Sequence, residues 1–203
     1  MTEAKSISSD LYTWIGWVLA SALGAAVGAA AAFNLLTILG QRLYLALDEV
    51  LIFGLILLGM GAMQWLVLRS RIAQAGWWIG ASIASGTLLG IMATKFSYGA
   101  NGPLGDGLFG ITLVVPYWLV LRRQLSYSWL WLIASPVAWA LAYLAVAALE
   151  RTGIWPQTTE TNELIFAFGL AGAVVGMIAG LLLVWLLRRS SLPQARSRGC
   201  ESA

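Results

Sequence analysis

Long apolar stretches alternate with short polar segments along the whole chain. A helix that crosses a bilayer takes about 20 mostly apolar residues, and six stretches reach or approach that length. They run approximately over 11–39, 50–68, 76–94, 107–121, 129–149 and 164–187. The first is long enough to tilt or to extend beyond the lipid, and the fourth is the shortest. The pattern predicts an all-α integral membrane protein, a bundle of six helices.

The composition agrees with a surface that faces lipid. Of the 203 residues, 60% are hydrophobic and only 10% are charged, whereas soluble domains average about 45–50% apolar and about 25% charged residues. So few charges cannot cover a water-exposed surface of this size. We therefore expect the lipid bilayer to surround the chain, and its length predicts one domain.

Lysine and arginine are concentrated in alternate connecting segments. Cytoplasmic loops retain these residues, so the more basic set of segments is assigned to the cytoplasm. With the N-terminus inside, only Arg42, Lys95 and Arg151 lie outside. The residues inside are Lys5, Arg69, Arg71, Arg122, Arg123, Arg188, Arg189, Arg196 and Arg198. This distribution predicts six spans with both termini in the cytoplasm.

The spans form one transmembrane domain over residues 1–187, followed by a basic cytoplasmic tail over 188–203. The tail has no hydrophobic periodicity and few apolar groups to offset ordering entropy, which predicts disorder. A cleaved signal peptide is the alternative interpretation of the first stretch, with a small-residue cleavage site in GAAVGAAAAF. The apolar run far exceeds the roughly 7–15 residues of a signal peptide, which favours a retained helix.

A W-x-x-A-S pattern occurs three times. It begins at Trp17, Trp78 and Trp131, near the start of the first, third and fifth helices. Internal repeats of this kind determine the fold where they occur. The recurrence predicts that these three helices are equivalent.

A second pattern, W-L-V-L-R, closes the even-numbered helices. It occupies 65–69 and 118–122, and the sixth helix ends in Trp-Leu-Leu-Arg at 185–188, one residue shorter. The stretches 65–82 and 118–135 align without a gap. Both patterns together predict three two-helix hairpins.

The three hairpins extend over about 11–69, 76–122 and 129–188. Each leaves the cytoplasm and returns to it, so successive hairpins have the same orientation. Repeats of this kind are related by an axis along the membrane normal. We expect a pseudo-threefold bundle.

The recurring tryptophans and arginines are typical of membrane-interface anchors. Indole rings sit at the level of the lipid headgroups, with basic residues just beyond them. Stacking on a ligand is the alternative role for the indoles. The predicted anchors are Trp17, Trp65, Arg69, Trp78, Trp118, Arg122, Trp131, Trp185 and Arg188.

Small residues recur on single helix faces, as expected where helices pack closely in lipid. The sixth helix carries a double G-x-x-x-G, and each W-x-x-A-S pattern ends in a serine. Packing within the monomer is the first interpretation, and homodimerisation through the sixth helix is the alternative. The predicted packing residues are Gly172, Gly176, Gly180, Ser21, Ser82 and Ser135.

Four residues within the spans predict a cavity. Pro116 and Pro136 lie at similar depths in the fourth and fifth helices, where proline bends a helix, so two bends would open a space between them. Asn34 and Gln64 are uncharged polar residues in other spans. Interhelical hydrogen bonding is the alternative role for these two.

The sequence offers little for chemistry. It contains no histidine, the commonest general base and metal ligand, and its single cysteine, Cys200, lies in the tail. The deep parts of the six stretches contain no Asp, Glu, Lys or Arg, which argues against a proton-coupled or ion-coupled pump. We expect no enzyme, no cofactor, no metal and no nucleic-acid partner.

The segment GAMQWLVLRSRIAQAGWWIGAS, with its Q-W-L-V-L-R and W-W-x-x-A-S elements, resembles uncharacterised multi-pass membrane proteins of bacteria, especially cyanobacteria. The resemblance covers most of the chain because the unit recurs. It implies no activity, substrate or cofactor. It implies the bacterial cytoplasmic membrane, or the thylakoid membrane in a cyanobacterium.

Two functional hypotheses follow from these patterns. The first is a non-enzymatic scaffold or interaction protein that contacts a membrane partner, or a second copy, through its helices. The alternative is a facilitator or channel for a small neutral or apolar solute. The small-residue faces favour the first, and the predicted cavity is the basis of the second.

Overall fold

Six helices account for the fold of the described chain. The computed structural model describes the backbone of residues 2–39, 45–95, 103–152, 155 and 158–200, and the side chains of 8–39, 47–93, 111–152, 155 and 158–189. The helices are α1 (Thr2–Leu39), α2 (Leu45–Leu68), α3 (Trp77–Lys95), α4 (Pro103–Leu121), α5 (Trp131–Arg151) and α6 (Glu160–Cys200). A short 3-10 turn, Ser128–Leu130, precedes α5. The predicted all-α class with six helices is confirmed.

Four of the helices contain apolar stretches long enough to cross a membrane. Within the described residues, these stretches are Ser8–Leu39, Leu47–Leu68, Ser128–Arg151 and Glu160–Arg189. The apolar stretches of α3 and α4 are shorter, Trp77–Ala93 and Ile111–Leu121. The chain is thus a helical protein with four candidate membrane spans.

The helices form a ring in chain order. Each packs on its neighbours along the chain, and α6 returns against α1. Asp10 of α1 forms an ion pair with Arg188 of α6, so the start of the first helix and the late part of the last lie at one end of the ring. We call this the arginine end, because Arg69 and Arg122 also lie there, and the opposite end the far end.

Each helix also carries large apolar side chains on its outward face. Examples, one from each helix, are Leu19, Leu66, Ile83, Val115, Ile133 and Leu181, which are 42–61% exposed. A soluble protein rarely exposes an apolar surface of this extent. The arrangement implies contact with the lipid bilayer.

Two ordered connectors link the hairpins at the arginine end. Ile72 and Ala75 are buried in the first, and Leu125 and Ser128 are buried in the second. Tyr127 has φ 62°, the left-handed conformation that non-glycine residues rarely adopt. Both connectors therefore place the next helix start against the core of the bundle.

The sixth helix is longer than the sequence predicts. α6 continues to Cys200, past position 188, where a disordered tail is expected. Extending an existing helix adds one hydrogen bond for each residue fixed, whereas starting a helix fixes several residues for a single bond. A long apolar helix can thus carry a polar extension that would not form alone.

Candidate functional site

Three tryptophans, one from each odd-numbered helix, meet inside the ring at the arginine end. The ring centroids of Trp17 and Trp78 are 5.6 Å apart, those of Trp78 and Trp131 are 5.9 Å apart, and those of Trp17 and Trp131 are 6.4 Å apart. All three pairs are edge-to-face, an arrangement that aromatic rings prefer. We call Trp17, Trp78 and Trp131 the tryptophan triad.

The position of the triad differs from the predicted role. Trp17 and Trp78 are 1% exposed and Trp131 is 5% exposed. An interface anchor must reach the headgroup region, whereas these side chains are enclosed by protein. Interface anchoring therefore does not describe these three tryptophans, which form part of the core.

A chain of hydrogen bonds connects two triad tryptophans through side chains of α1, α2 and α3. Trp78 Nε1 donates to Gln64 Oε1 at 2.9 Å, and Gln64 Nε2 donates to Ser21 Oγ at 2.9 Å. Ser21 Oγ in turn donates to the Trp17 carbonyl at 2.8 Å. Gln64 of α2 thus joins α3 to α1 through buried polar groups, and buried polar groups are stable only when they are paired.

A second set of hydrogen bonds involves the neighbouring hairpin. The Tyr117 hydroxyl donates to Ser82 Oγ at 2.9 Å, and Ser82 Oγ donates to the Trp78 carbonyl at 2.8 Å. The rings of Tyr117 and Trp78 are 4.6 Å apart. Ser82 and Ser21, two of the predicted packing residues, are buried, and each donates to the carbonyl of the tryptophan four residues before it.

Two indole N–H groups of the triad have no acceptor among the described residues. They belong to Trp17 and Trp131, and both side chains line a cavity of about 20 Å³ that Gln64 and Ser135 also line. That volume accommodates about one water molecule. The triad therefore has one paired indole donor, that of Trp78, and two without an acceptor among the described residues, around a small cavity.

A larger cavity of about 300 Å³ lies beyond the triad, toward the far end. Its lining residues are aliphatic and aromatic, and only Tyr143 and Trp139 among them have a polar atom in the side chain. The lining residues are Phe53, Ile56, Leu57, Leu89, Leu113, Trp139, Ala142, Tyr143, Val146, Leu164, Ala167, Phe168 and Ala171. Leu57, Leu113 and Trp139 line the small cavity as well, so they lie between the two spaces. We call the larger space the far-end cavity.

Glycines allow close backbone approach of α1 to α2 and of α3 to α2, beside the far-end cavity. A Cβ added to Gly24 of α1 would lie 2.6 Å from the Gly59 carbonyl oxygen, and one added to Gly86 of α3 would lie 2.7 Å from the Phe53 carbonyl oxygen. Such backbone contacts need glycine. α5 contains no glycine, and it lines the cavity with Trp139, Ala142, Tyr143 and Val146.

The glycines of α6 pack against α1. A Cβ on Gly172 would lie 2.6 Å from the Ser21 carbonyl oxygen, and one on Gly180 would lie 2.9 Å from Trp17 Cδ1. A Cβ on Gly176 would lie 2.9 Å from the Cβ of Ser21. These predicted packing residues therefore lie in contacts within one chain.

The remaining predicted anchors lie at the arginine end, and most pair an indole with a guanidinium. Arg69 Cζ is 5.7 Å from the centre of the Trp65 ring, and Arg122 Cζ is 5.1 Å from that of Trp118. On α6 the cation over the ring is Arg189 instead of Arg188, with Cζ 5.1 Å from the centre of the Trp185 ring.

The α6 pairing differs from the predicted one. Arg188 pairs with Asp10, and the Trp185–Arg189 spacing equals that of Trp65 and Arg69. The three pairs of indole and guanidinium therefore have the same spacing of four residues.

The four residues of the predicted cavity do not lie together. Gln64 belongs to the triad network, whereas Asn34 is exposed on α1 and donates to the Ala30 carbonyl of its own helix at 2.7 Å. Pro116 lines a groove between α3 and α4, not a space between α4 and α5. Pro136 is half-buried on α5 and lines none of the cavities described here.

Among the described side chains, no three His, Cys, Asp or Glu residues form a group that could hold a metal ion. Comparisons of the whole chain with protein-family models, with curated proteins and with solved structures give no match. What the protein can do must therefore be inferred from the triad, the far-end cavity and the outward faces of the helices.

Proposed function

We propose that all six helices cross the membrane, as three hairpins of the same orientation with both termini in the cytoplasm. The meeting of equivalent tryptophans from α1, α3 and α5 supports this arrangement, because it brings the starts of these helices to one end. α3 and α4 have 19 residues each, a length of about 28 Å at 1.5 Å per residue. That nearly matches a hydrocarbon core of about 30 Å.

The location we propose is the cytoplasmic membrane of a bacterium, or the thylakoid membrane in a cyanobacterium. The arginine end then faces the cytoplasm, because basic residues are retained on that side. The far end, with its cavity, lies in the outer half of the bilayer. The resemblance to bacterial multi-pass proteins supports the same location.

Within that membrane, the chain acts as a non-enzymatic interaction protein that binds an apolar molecule in the far-end cavity. The observation that carries this proposal is the cavity itself, whose roughly 300 Å³ lies at the lower limit of ligand pockets. Its aromatic and aliphatic lining suits a hydrocarbon chain or ring. The Tyr143 hydroxyl is available to orient a single polar group of the ligand.

Lateral association through glycine faces is less well supported. Gly172, Gly176 and Gly180 contact α1 of the same chain, so this face is already occupied. A membrane partner or a second copy would have to use the outward apolar faces. The small-residue pattern therefore no longer favours a scaffold over a ligand-binding protein.

A facilitator for a small neutral solute needs a continuous path across the bundle. The tryptophan triad and Gln64 fill the ring at the arginine end, and the cavity beside them accommodates about one water molecule. We expect no protein-dependent uptake of glycerol into proteoliposomes. Uptake that the protein accelerates would favour the facilitator instead.

Photocrosslinking tests the binding proposal. The full chain, reconstituted in lipid nanodiscs, is irradiated with a long-chain alkane that carries a diazirine, and the labelled peptides are identified by mass spectrometry. We expect labels on Trp139 and Phe168 in excess of those on outward-facing residues. Ala142→Phe fills the cavity and should remove the excess.

Leu141→Phe is the matched control. Leu141 is adjacent to Ala142 but 45% exposed on the outward face, so this variant should keep the cavity labels. Labels confined to outward-facing residues in the unaltered protein would contradict the proposal.

A further inference from the structure

A groove of about 310 Å³ lies between α3 and α4 on the outward side of the bundle. Small residues form its α3 wall, Gly80, Ala81 and Ala84, and Pro116 and Leu119 belong to its α4 wall. A Cβ added to Gly80 would meet only the Trp77 ring, at 3.9 Å. The groove is therefore open to the lipid and wide enough for an acyl chain.

The mouth of the groove lies at the arginine end and is polar. Gln74, Trp77 and Arg123 line it, and Trp77 is 64% exposed. An exposed indole at the end of a helix is typical of the headgroup region. The groove thus runs from headgroup depth into the hydrocarbon.

Arg123 differs from the other arginines at this end. The structure describes six arginine side chains at this end, and five of them have a partner. Arg69, Arg122 and Arg189 lie over indole rings. Arg71 donates to Ser9 and Thr13, and Arg188 pairs with Asp10. Arg123 has no hydrogen bond, ion pair or ring contact among the described residues. Its guanidinium is left to bind something outside the chain.

We propose that this groove binds an anionic phospholipid of the cytoplasmic leaflet. The Arg123 guanidinium would hold the phosphate, since its fork of donors matches phosphate oxygens. The Trp77 indole would lie beside the headgroup, and an acyl chain would lie against Gly80 and Ala84. Basic pockets between membrane helices on the cytoplasmic side bind anionic headgroups in this way.

The test is native mass spectrometry of the full chain with added phosphatidylglycerol. We expect bound lipid, and Arg123→Gln should weaken its binding about tenfold, the equivalent of one hydrogen bond to a charged group. Arg122→Gln is the matched control, because it removes a charge from the adjacent residue, which lies over Trp118. This control should bind the lipid as the unaltered protein does.

Further measurements identify what occupies the groove. Ala84→Phe blocks the groove without changing charge and should also weaken lipid binding about tenfold, whereas inorganic phosphate should not compete. Equal losses in Arg122→Gln and Arg123→Gln would overturn the proposal, and so would unchanged binding in Ala84→Phe. A dimer that Ala84→Phe dissociates would show that a second copy fills the groove instead.

This proposal rests on the proposed six-span topology but is independent of the far-end cavity. Ala142→Phe fills that cavity from within the bundle and should leave phosphatidylglycerol binding unchanged. Failure of one proposal therefore does not decide the other.

Discussion

Trp78 donates its indole N–H to the Gln64 side chain at 2.9 Å, in the buried interior of a bundle whose outer surface is apolar. Gln64 donates in turn to Ser21, so one amide joins three helices. Within lipid, few alternative partners exist for either group. This makes the pair a determinant of how the first hairpin meets the second.

Gln64→Leu should lower the free energy of unfolding by about 1–2 kcal/mol, because it leaves the buried Trp78 N–H without an acceptor. The measurement is a denaturant titration of the purified protein in detergent, in which circular dichroism monitors unfolding.

Asn34→Leu is the control for this prediction. Asn34 is exposed on the outward face and bonds only to its own helix in the described structure, so its loss should change stability by less than about 0.5 kcal/mol. If both variants lose the same stability, the interhelical bond of Gln64 contributes little.

Val184→Gln should stabilise the protein. In the aligned repeat, Gln64, Tyr117 and Val184 each precede the tryptophan that closes an even-numbered helix, and only the third hairpin has an apolar residue there. Val184 lies one turn beyond Gly180, which packs against Trp17, and Trp17 Nε1 has no acceptor among the described residues. A glutamine at 184 should supply that acceptor, a gain of about 0.5–1 kcal/mol.

Repeating the same substitution in a Trp17→Phe background isolates the hydrogen bond. Phenylalanine has no N–H, so the gain from glutamine should disappear there. A gain of the same size in both backgrounds would show that glutamine acts through something other than Trp17.

Hydrophobic patterning was sufficient to predict the helices but not the role of the tryptophans. Spacing alone cannot tell an indole at the headgroup level from one inside the bundle, since both lie near a helix end. The informative signal was the serine four residues after each triad tryptophan. Residues at i and i+4 share a helix face, and a small residue beside Trp17 or Trp78 is typical of a face that packs.

The far-end cavity could not be predicted from the prolines, but the repeat contains a signal for it. Eight residues after Trp17 and Trp78 stand Ala25 and Gly86, whereas Trp139 stands eight residues after Trp131. The third hairpin thus carries a bulky side chain where the others carry small ones. Whether such a side chain fills a space or lines one depends on helix separations, which the sequence does not give.

Gly24→Ala should be strongly destabilising, and Gly54→Ala should not. A Cβ on Gly24 would lie 2.6 Å from the Met60 Cα, while one on Gly54 would meet nothing within 4 Å. Forcing apart two helix backbones costs about 1–3 kcal/mol, whereas alanine in open space gains about 0.5–1 kcal/mol in helix propensity. The midpoint temperature of thermal unfolding in detergent should therefore fall in Gly24→Ala and rise in Gly54→Ala. An equal decrease in the midpoint temperature of both variants would show that this close approach does not hold α1 and α2 together.

Cysteine labelling can decide whether α3 and α4 cross the membrane. In the unaltered chain, Cys200 is the single cysteine, and an impermeant maleimide should reach it only after cells are broken. Ser97 lies between α3 and α4, and Ser97→Cys in a Cys200→Ser background should be labelled in intact cells if both helices span the bilayer. Ser70→Cys in the same background is the control, because Ser70 is exposed at the arginine end and should be labelled only after breakage. Protection of position 97 in intact cells would leave four spans rather than six, with α3 and α4 on the cytoplasmic side.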